Sequence, residues 1–149
     1  MAALACITIK WRITGYIGEC VMHRSRLSNL VIDCLEEHFE ACVAFWAETF
    51  GAPMPRKLRA GQRYVALKTR PGDPEVVLQM VERDPGIHLD FETDSVVKES
   101  ARMQAAGARR KYKIKTWQVM QDPSGNAFCV IRKQHPALLE QMPAWPDHP

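Results

Sequence analysis

Residues 117–131 constrain the fold more than any other part of the sequence. Two apolar stretches flank the turn sequence Asp-Pro-Ser-Gly-Asn, which begins at Asp122. Proline fixes φ at the first corner of a tight turn, and glycine accepts the positive φ that a later corner needs. The side chains of Asp122 and Asn126 can hydrogen-bond to the turn backbone. The pattern therefore predicts a β-hairpin with strands over Trp117–Gln121 and Ala127–Ile131.

One pattern of elements occurs twice, in residues 27–82 and 86–133. In each half an apolar strand precedes a helix, and further strands follow the glycine that ends this helix. The predicted elements of the first half are a strand over Leu27–Cys34, a helix over Phe39–Phe50, and strands over Arg63–Lys68 and Val76–Val81. Those of the second half are a strand over Ile87–Glu92, a helix over Ser95–Ala106, and strands over Tyr112–Lys115, Trp117–Gln121 and Ala127–Ile131. We predict an α+β fold of two tandem βαβββ modules, whose joined, curved mixed sheet surrounds a central cleft.

The second half opens with Ile-His-Leu-Asp at residues 87–90 and closes with the motif Asp-Pro-x-Gly-Asn-x-Phe. With these motifs in this order, residues 27–133 resemble the vicinal oxygen chelate superfamily, which includes glyoxalase I, bleomycin-resistance proteins and extradiol dioxygenases. The resemblance is to its glyoxalase-like branch. It implies the paired-module fold with a pocket inside the joined sheets, and homodimers are common in that family, so we expect a homodimer. The resemblance indicates a fold rather than a reaction.

Two flanking segments lie outside this resemblance. Residues 1–26 are interpreted as an N-terminal extension, because residues 7–13 alternate between apolar and polar as a strand does. This extension is either an added edge strand or the product of a start codon upstream of Met22. Residues 134–149 form a Pro-rich tail in which a long helix is excluded, although Ala137–Gln141 could form one turn.

Composition limits the partners of this chain. Its 149 residues, 46% hydrophobic with a net charge of +3, are typical of one globular domain rather than a nucleic-acid-binding protein. The basic residues within 98–115 are interpreted as a solvated helix face and a protected edge strand. No apolar run is long enough to span a membrane, and there is no signal-peptide pattern. Five cysteines without a CxxC pair indicate reduced thiols, so we predict a cytoplasmic protein without nucleic-acid or membrane partners.

The resemblance also implies four metal-ligand positions, one on the first and one on the last strand of each module. Metal-dependent members carry His or Gln, Glu, His and Glu there, whereas this chain carries Asn29, Gln79, His88 and Cys129. Neutral amides and a thiol are a poor ligand set for Mg, Mn or Fe. The sequence therefore predicts no cofactor and no metal. A divalent metal stays a disfavoured alternative, because Asp90 shares a strand face with His88.

Candidate site residues follow from the same placement. His88 and Asp90 are the catalytic candidates, because a cleft histidine beside a carboxylate can act as a general acid or base. Cys129 is more typical of a small buried apolar residue than of a nucleophile. The predicted ligand-binding residues are Asn29, Tyr64, Gln79, His88, Trp117 and Cys129. Trp117 could equally belong to the core.

Three function classes remain open. The first is a protein that binds a small organic molecule in the inter-module cleft without the usual metal site, similar to the bleomycin-resistance members. The second is an enzyme of this superfamily, a lyase, isomerase or hydrolase that uses His88 and Asp90 or a degenerate divalent-metal site. A classical glyoxalase I is disfavoured. The third is a protein-interaction module that docks through the basic strand at Arg109–Lys115.

Overall fold

The structure is a computed structural model that describes residues 22–55, 58–59, 61–70 and 73–147, apart from the side chain of Leu138. The predicted strand at residues 7–13 lies outside these described residues. The helices are α1 (Phe39–Phe50) and α2 (Val96–Ala105), with short 3-10 helices at Glu36–His38 and Pro136–Gln141. The strands are β1 (Met22–Leu35), β2 (Tyr64–Leu67), β3 (Glu75–Val81), β4 (Gly86–Thr93), β5 (Arg109–Ile114), β6 (Trp117–Gln121), β7 (Ala127–Arg132) and β8 (Ala144–Pro146).

The strands form one mixed sheet in the order β2-β3-β1-β4-β7-β6-β5, and β8 pairs with the start of β1. Within each module the first strand runs parallel to the last one, β1 beside β3 and β4 beside β7. The modules join through the antiparallel pair of β1 and β4. The two helices cover one face of this curved sheet. The predicted α+β fold with a paired-module sheet is therefore confirmed.

The first module differs from the predicted βαβββ order in one respect. Between α1 and β2, the described residues 52–55, 58–59 and 61–63 form no strand, so this module is βαββ over the part of the chain that the structure describes. Pro53 and Pro55 in this segment have no N–H to donate to a sheet. In the second module β5 occupies the corresponding edge.

The core of each module lies between its helix and the sheet. Phe39, Val43 and Ala47 of α1 pack on strand residues that include Ile32 and Leu78. In the second module, the residues that pack together are Met103 of α2, Met120, Val130, Phe91 and Phe128. Since alternate residues of a strand point to opposite faces, the neighbours of these core residues project from the other face of the sheet, here called the cleft face.

The hairpin has the predicted turn chemistry. The backbone N–H of Asn126 donates to Asp122 Oδ1 and its side-chain amide donates to Oδ2, both at 2.8 Å. Gly125 adopts a φ of 100°, which L side chains rarely adopt. The sequence prediction of a tight hairpin is confirmed, and β7 begins directly after it.

The C-terminal tail folds back onto β1 and α2. A buried ion network, here called the tail network, holds it there and consists of His23, Glu99, Arg102, Trp145 and Asp147. His23 Nε2 lies 2.8 Å from Glu99 Oε2, and His23 Nδ1 lies 3.0 Å from Asp147 Oδ1. Arg102 donates two hydrogen bonds of 2.7 Å to Glu99 and stacks 4.1 Å from the ring centre of Trp145. In the described residues, no helix is long and apolar enough to cross a bilayer.

Candidate functional site

The cleft-facing polar residues of the two modules meet on the central strands. Asn29 pairs with Asp90 across the junction of β1 and β4. Asp33 is the register partner of Gln79 on the neighbouring strand of the first module, and Asp90 is the register partner of Cys129 in the second module. The site thus combines β1, β3, β4 and β7, and each module contributes one aspartate beside its last strand.

His88 lies between the two aspartates. Its Nδ1 is 2.8 Å from Asp33 Oδ2 and its Nε2 is 3.7 Å from Asp90 Oδ1. The first distance is a hydrogen bond that fixes the ring orientation, whereas the second is too long for one. The side chains of His88, Asp33 and Asp90 are 16%, 15% and 14% exposed, so the group is largely shielded from water.

The electrostatics favour a protonated imidazole. Burial lowers the pKa of His88, but the hydrogen bond and charge of Asp33 together with the charge of Asp90 outweigh burial and raise it above its ordinary value. Burial also raises the pKa of Asp90, against the opposing effects of His88, Asn29 and Cys129. A histidine with a raised pKa beside carboxylates is suited to proton transfer near neutral pH.

Three buried oxygens at this site have no hydrogen-bond partner among the described residues: Asn29 Oδ1, Asp33 Oδ1 and Asp90 Oδ1. The amide of Asn29 donates to the other oxygen of Asp90 at 3.4 Å. An unsatisfied buried polar atom is unfavourable by about 1–3 kcal/mol, so a hydrogen-bond donor placed beside these oxygens would be stabilised.

Cys129 is a protonated thiol at the floor of the cleft. Burial and the neighbouring Asp90 raise its pKa to about 12. A nucleophilic cysteine needs a lowered pKa, so the structure disfavours a catalytic thiol, in agreement with its interpretation as a small buried residue.

The four positions that metal-dependent members use do not form a hard-ion site in this chain. Asn29 and Gln79 offer neutral amides, Cys129 offers a thiol, and His88 is hydrogen-bonded to Asp33. Mg, Mn and Fe prefer carboxylate oxygens beside imidazole. This ligand set therefore does not fit the ion that the superfamily implies, and no reaction step is derived through it.

Tyr64 and Trp117 flank the site rather than join it. Tyr64 lies on β2, two strands from β1, and is paired with Gln79. Trp117 lies on β6, two strands from β4, and is half-buried. The core residue Met120 points toward α2, so strand alternation places Trp117 on the cleft face. Both aromatic residues are therefore positioned as side walls.

Two acidic residues behave differently from their sequence interpretation. Asp33 was not among the candidate residues, although its i+4 spacing from Asn29 on one strand was a signal that placed it on the same face. Glu92 shares the alternation of His88 and Asp90, which predicts a position further along the same face of β4. It is instead fully buried and accepts hydrogen bonds from Arg26 and from the backbone N–H groups of residues 134 and 135. Its role is therefore to hold the tail on β4.

The sequence comparison gives a family. A family model of the glyoxalase-like domain matches residues 29–131, which is more than half of the chain. No curated protein matches the sequence.

Several solved structures are similar to this chain. NAD-dependent benzaldehyde dehydrogenase from Legionella pneumophila is 8% identical with a TM-score of 0.54, and the match covers 71% of this chain and 98% of that one. A variant of 4-hydroxymandelate synthase from Streptomyces coelicolor is 14% identical with a TM-score of 0.50, and the match covers 80% of this chain and 50% of that one. A glyoxalase/bleomycin resistance protein/dioxygenase superfamily member from Vibrio splendidus 12B01 is 17% identical with a TM-score of 0.47, and the match covers 73% of this chain and 99% of that one. At such identities the first two similarities concern the fold alone.

Proposed function

Since this chain belongs to the glyoxalase-like domain family, we propose that it binds a small organic molecule in the cleft between its modules, without the hard-ion site of metal-dependent relatives. The observation that carries this proposal is the set of three unpaired acceptor oxygens around His88. Ligand pockets place a few oriented polar groups among apolar walls. Here the acceptors belong to Asn29, Asp33 and Asp90, and the aromatic walls are Tyr64 and Trp117.

The chemistry of the floor favours a particular kind of ligand. The three free oxygens accept hydrogen bonds, so a ligand that carries N–H or O–H donors would satisfy them. Among the ion pairs of the described residues, Asp33 and Asp90 pair with His88 and with no Arg or Lys. A neutral or positively charged ligand is therefore favoured over an anion.

An enzyme of the lyase, isomerase or hydrolase type is the second candidate. The observation that favours it is the hydrogen bond of 2.8 Å from His88 Nδ1 to Asp33, together with the raised pKa of His88. Asp33 would orient the imidazole, and His88 Nε2 would hold or accept a proton on the side that faces Asp90. This role needs no metal, and it is distinct from that of a classical glyoxalase I.

The expected partners belong to the same proposal. A homodimer in the cytoplasm is the state that we propose for the binding protein. A protein-interaction module is the third candidate, and the observation that favours it is the edge strand β5, whose six residues are all exposed.

A ligand screen by thermal shift tests the binding proposal. We expect small organic compounds with N–H or O–H donors to raise the Tm of the full chain in the presence of a chelator. The H88A variant should lose this shift, whereas H38A is the matched control, because His38 is an exposed residue outside the cleft. Equal ligand stabilisation of wild type and H88A would contradict the proposal. Turnover of a bound compound that H88Q abolishes would instead support the enzyme.

A further inference from the structure

Two cysteines lie on either side of the turn between β1 and α1. Cys34 is the last residue but one of β1, and Cys42 lies in the first turn of α1. The 3-10 helix at Glu36–His38 connects these two elements, and α1 packs back onto the sheet directly after it. Both cysteines therefore lie near the closed end of one strand–helix unit.

The side chains of both cysteines belong to the core of the first module. Cys34 is 3% exposed and is part of the buried cluster that includes Phe39 and Val43. Cys42 packs against this cluster and stays partly exposed. Since Cys42 follows Phe39 by three residues, it lies at the border of the buried face of α1. Two side chains that meet in one core are the arrangement that a disulfide requires.

The surroundings of Cys34 keep its thiol protonated. Burial, a side-chain hydrogen bond with Cys42 and the charges of Cys42 and Asp33 raise the pKa of Cys34 to about 12. Because the thiolate is the form of cysteine that attacks an oxidant, Cys34 is not the thiol that reacts first. The interaction with Cys42 also identifies the two thiols as direct neighbours.

We propose that Cys34 and Cys42 are an oxidation-sensitive dithiol, which a peroxide converts into a disulfide between β1 and α1. In the first step the sulfur of Cys42 attacks the O–O bond of hydrogen peroxide, which yields a sulfenic acid and one water. In the second step the sulfur of Cys34 displaces the hydroxyl group of this sulfenic acid, which leaves as water with the thiol proton of Cys34. Two thiols and one peroxide thus give one disulfide and two waters.

Exposure and proximity set the order of these steps. Cys42 is the partly exposed residue of the pair, so it is the one that a dissolved peroxide reaches. Cys34 is held beside it, and the second step is therefore intramolecular, which compensates for the low reactivity of a protonated thiol. Cys34 points away from the cleft face, because its neighbour Asp33 contacts His88 there. The inference therefore does not depend on the proposed organic ligand.

Peroxide treatment followed by peptide mapping tests the dithiol. The full-length chain carries C6S and C20S, because these two cysteines lie outside the described residues and could form competing disulfides. The sequence has no Lys or Arg within residues 27–55, so trypsin releases both thiols in one peptide, 27–56. After peroxide treatment and alkylation in denaturant, we expect this peptide to lack two hydrogen atoms and to carry no alkyl group.

Single variants of this parent protein separate the roles of the two thiols. In C34S the second thiol is absent, and we expect Cys42 to accumulate as a sulfenic acid that dimedone traps. In C42S we expect Cys34 to stay reduced at a peroxide concentration that oxidises the parent fully. C129S is the matched control, because Cys129 lies on the opposite face of the sheet, and it should leave the disulfide yield unchanged. Circular dichroism of each reduced variant checks that it is folded.

Thermal unfolding shows whether the bond fits the folded protein. A disulfide across a short loop restricts the unfolded chain, so we expect the oxidised parent to unfold at a Tm about 5–10 °C above that of the reduced parent. Reduction with dithiothreitol should restore the lower Tm.

Three outcomes would overturn the dithiol. The first is a peptide 27–56 that keeps both thiols after peroxide treatment. The second is a disulfide-linked dimer that C42S abolishes, which would assign Cys42 to a bond between two chains. The third is a Tm of the oxidised parent below that of the reduced parent, which would mean that the bond does not fit the packing of α1 on β1.

Discussion

Among the described residues, two histidines each lie between two carboxylates, but only one of the two has both ring nitrogens within hydrogen-bonding distance of them. His23 in the tail network is 1% exposed, with contacts of 2.8 and 3.0 Å to Glu99 and Asp147. His88 in the cleft has one contact of 2.8 Å and one gap of 3.7 Å. The comparison shows that a buried histidine beside acids does not by itself make a site.

The compensating charges explain the difference. In the tail network Arg102 donates twice to Glu99, and Lys98 lies 2.6 Å from Asp147. In the cleft, the ion pairs of Asp33 and Asp90 within the described residues are those with His88. The charges of the tail network are thus balanced within the chain, whereas three buried oxygens around His88 have no hydrogen-bond partner among the described residues.

The largest expected effect tests whether the tail network is structural. Glu99→Ala leaves Arg102 without its carboxylate partner and leaves His23 with Asp147 alone. Removing one partner of a buried ion pair typically costs about 3–5 kcal/mol. We expect a loss of this size in the free energy of unfolding, measured by urea denaturation. A loss below about 1 kcal/mol would contradict the structural role of this network.

A second test uses pH. Burial alone would raise the pKa of Glu99. The hydrogen bonds from Arg102 and His23 outweigh burial and lower this pKa below its ordinary value of 4.5. Glu99 has a lower pKa in the folded state than in the unfolded state. The ionised carboxylate therefore stabilises the fold above pH 4.5, and this stabilisation is lost as the pH falls through the folded-state pKa. We expect the stability difference between wild type and E99Q to shrink from pH 7 toward pH 3. A difference that stays constant over this range would exclude the linkage.

The third prediction concerns Asp90 in the cleft. Its expected effect on the free energy of unfolding is the smallest of the three and has the opposite sign. Burial raises the pKa of Asp90, so the folded protein binds the carboxyl proton of Asp90 more tightly than the unfolded chain does. Ionisation of Asp90 therefore disfavours folding. Asp90→Asn is therefore expected to leave the free energy of unfolding unchanged or to raise it by up to about 1 kcal/mol. Urea denaturation in chelator measures this, and a loss above about 2 kcal/mol would make Asp90 a structural residue.

The sequence predicted those parts of the fold that depend on local patterns. Strand alternation, helix spacing and turn residues located α1, α2 and the hairpin strands close to their observed bounds. By contrast, β1 begins at Met22, before the predicted start at Leu27, because β8 pairs with residues 22–24 from the far end of the chain. Such a pairing leaves no periodic signal in either segment.

The site was predictable only in part for a related reason. The resemblance gave His88, Asn29 and Cys129, and strand alternation gave Asp90; the structure brings these four side chains together. The contact of Asp33 with His88 depends on the register of β1 against β4, which pairs Val31 with His88. Register between strands far apart in sequence cannot be read from either strand alone.

The pairing of β8 with β1 also has a consequence for protein engineering. Met22 and Pro146 are register partners, so a short linker could join the two ends of the described chain. New termini could then be opened in the loop between β3 and β4, at residues 82–85. Such a circular permutant would place the second module first in the chain while it keeps every strand pair of the sheet. The order of the modules along the gene would thereby be separated from their arrangement in space.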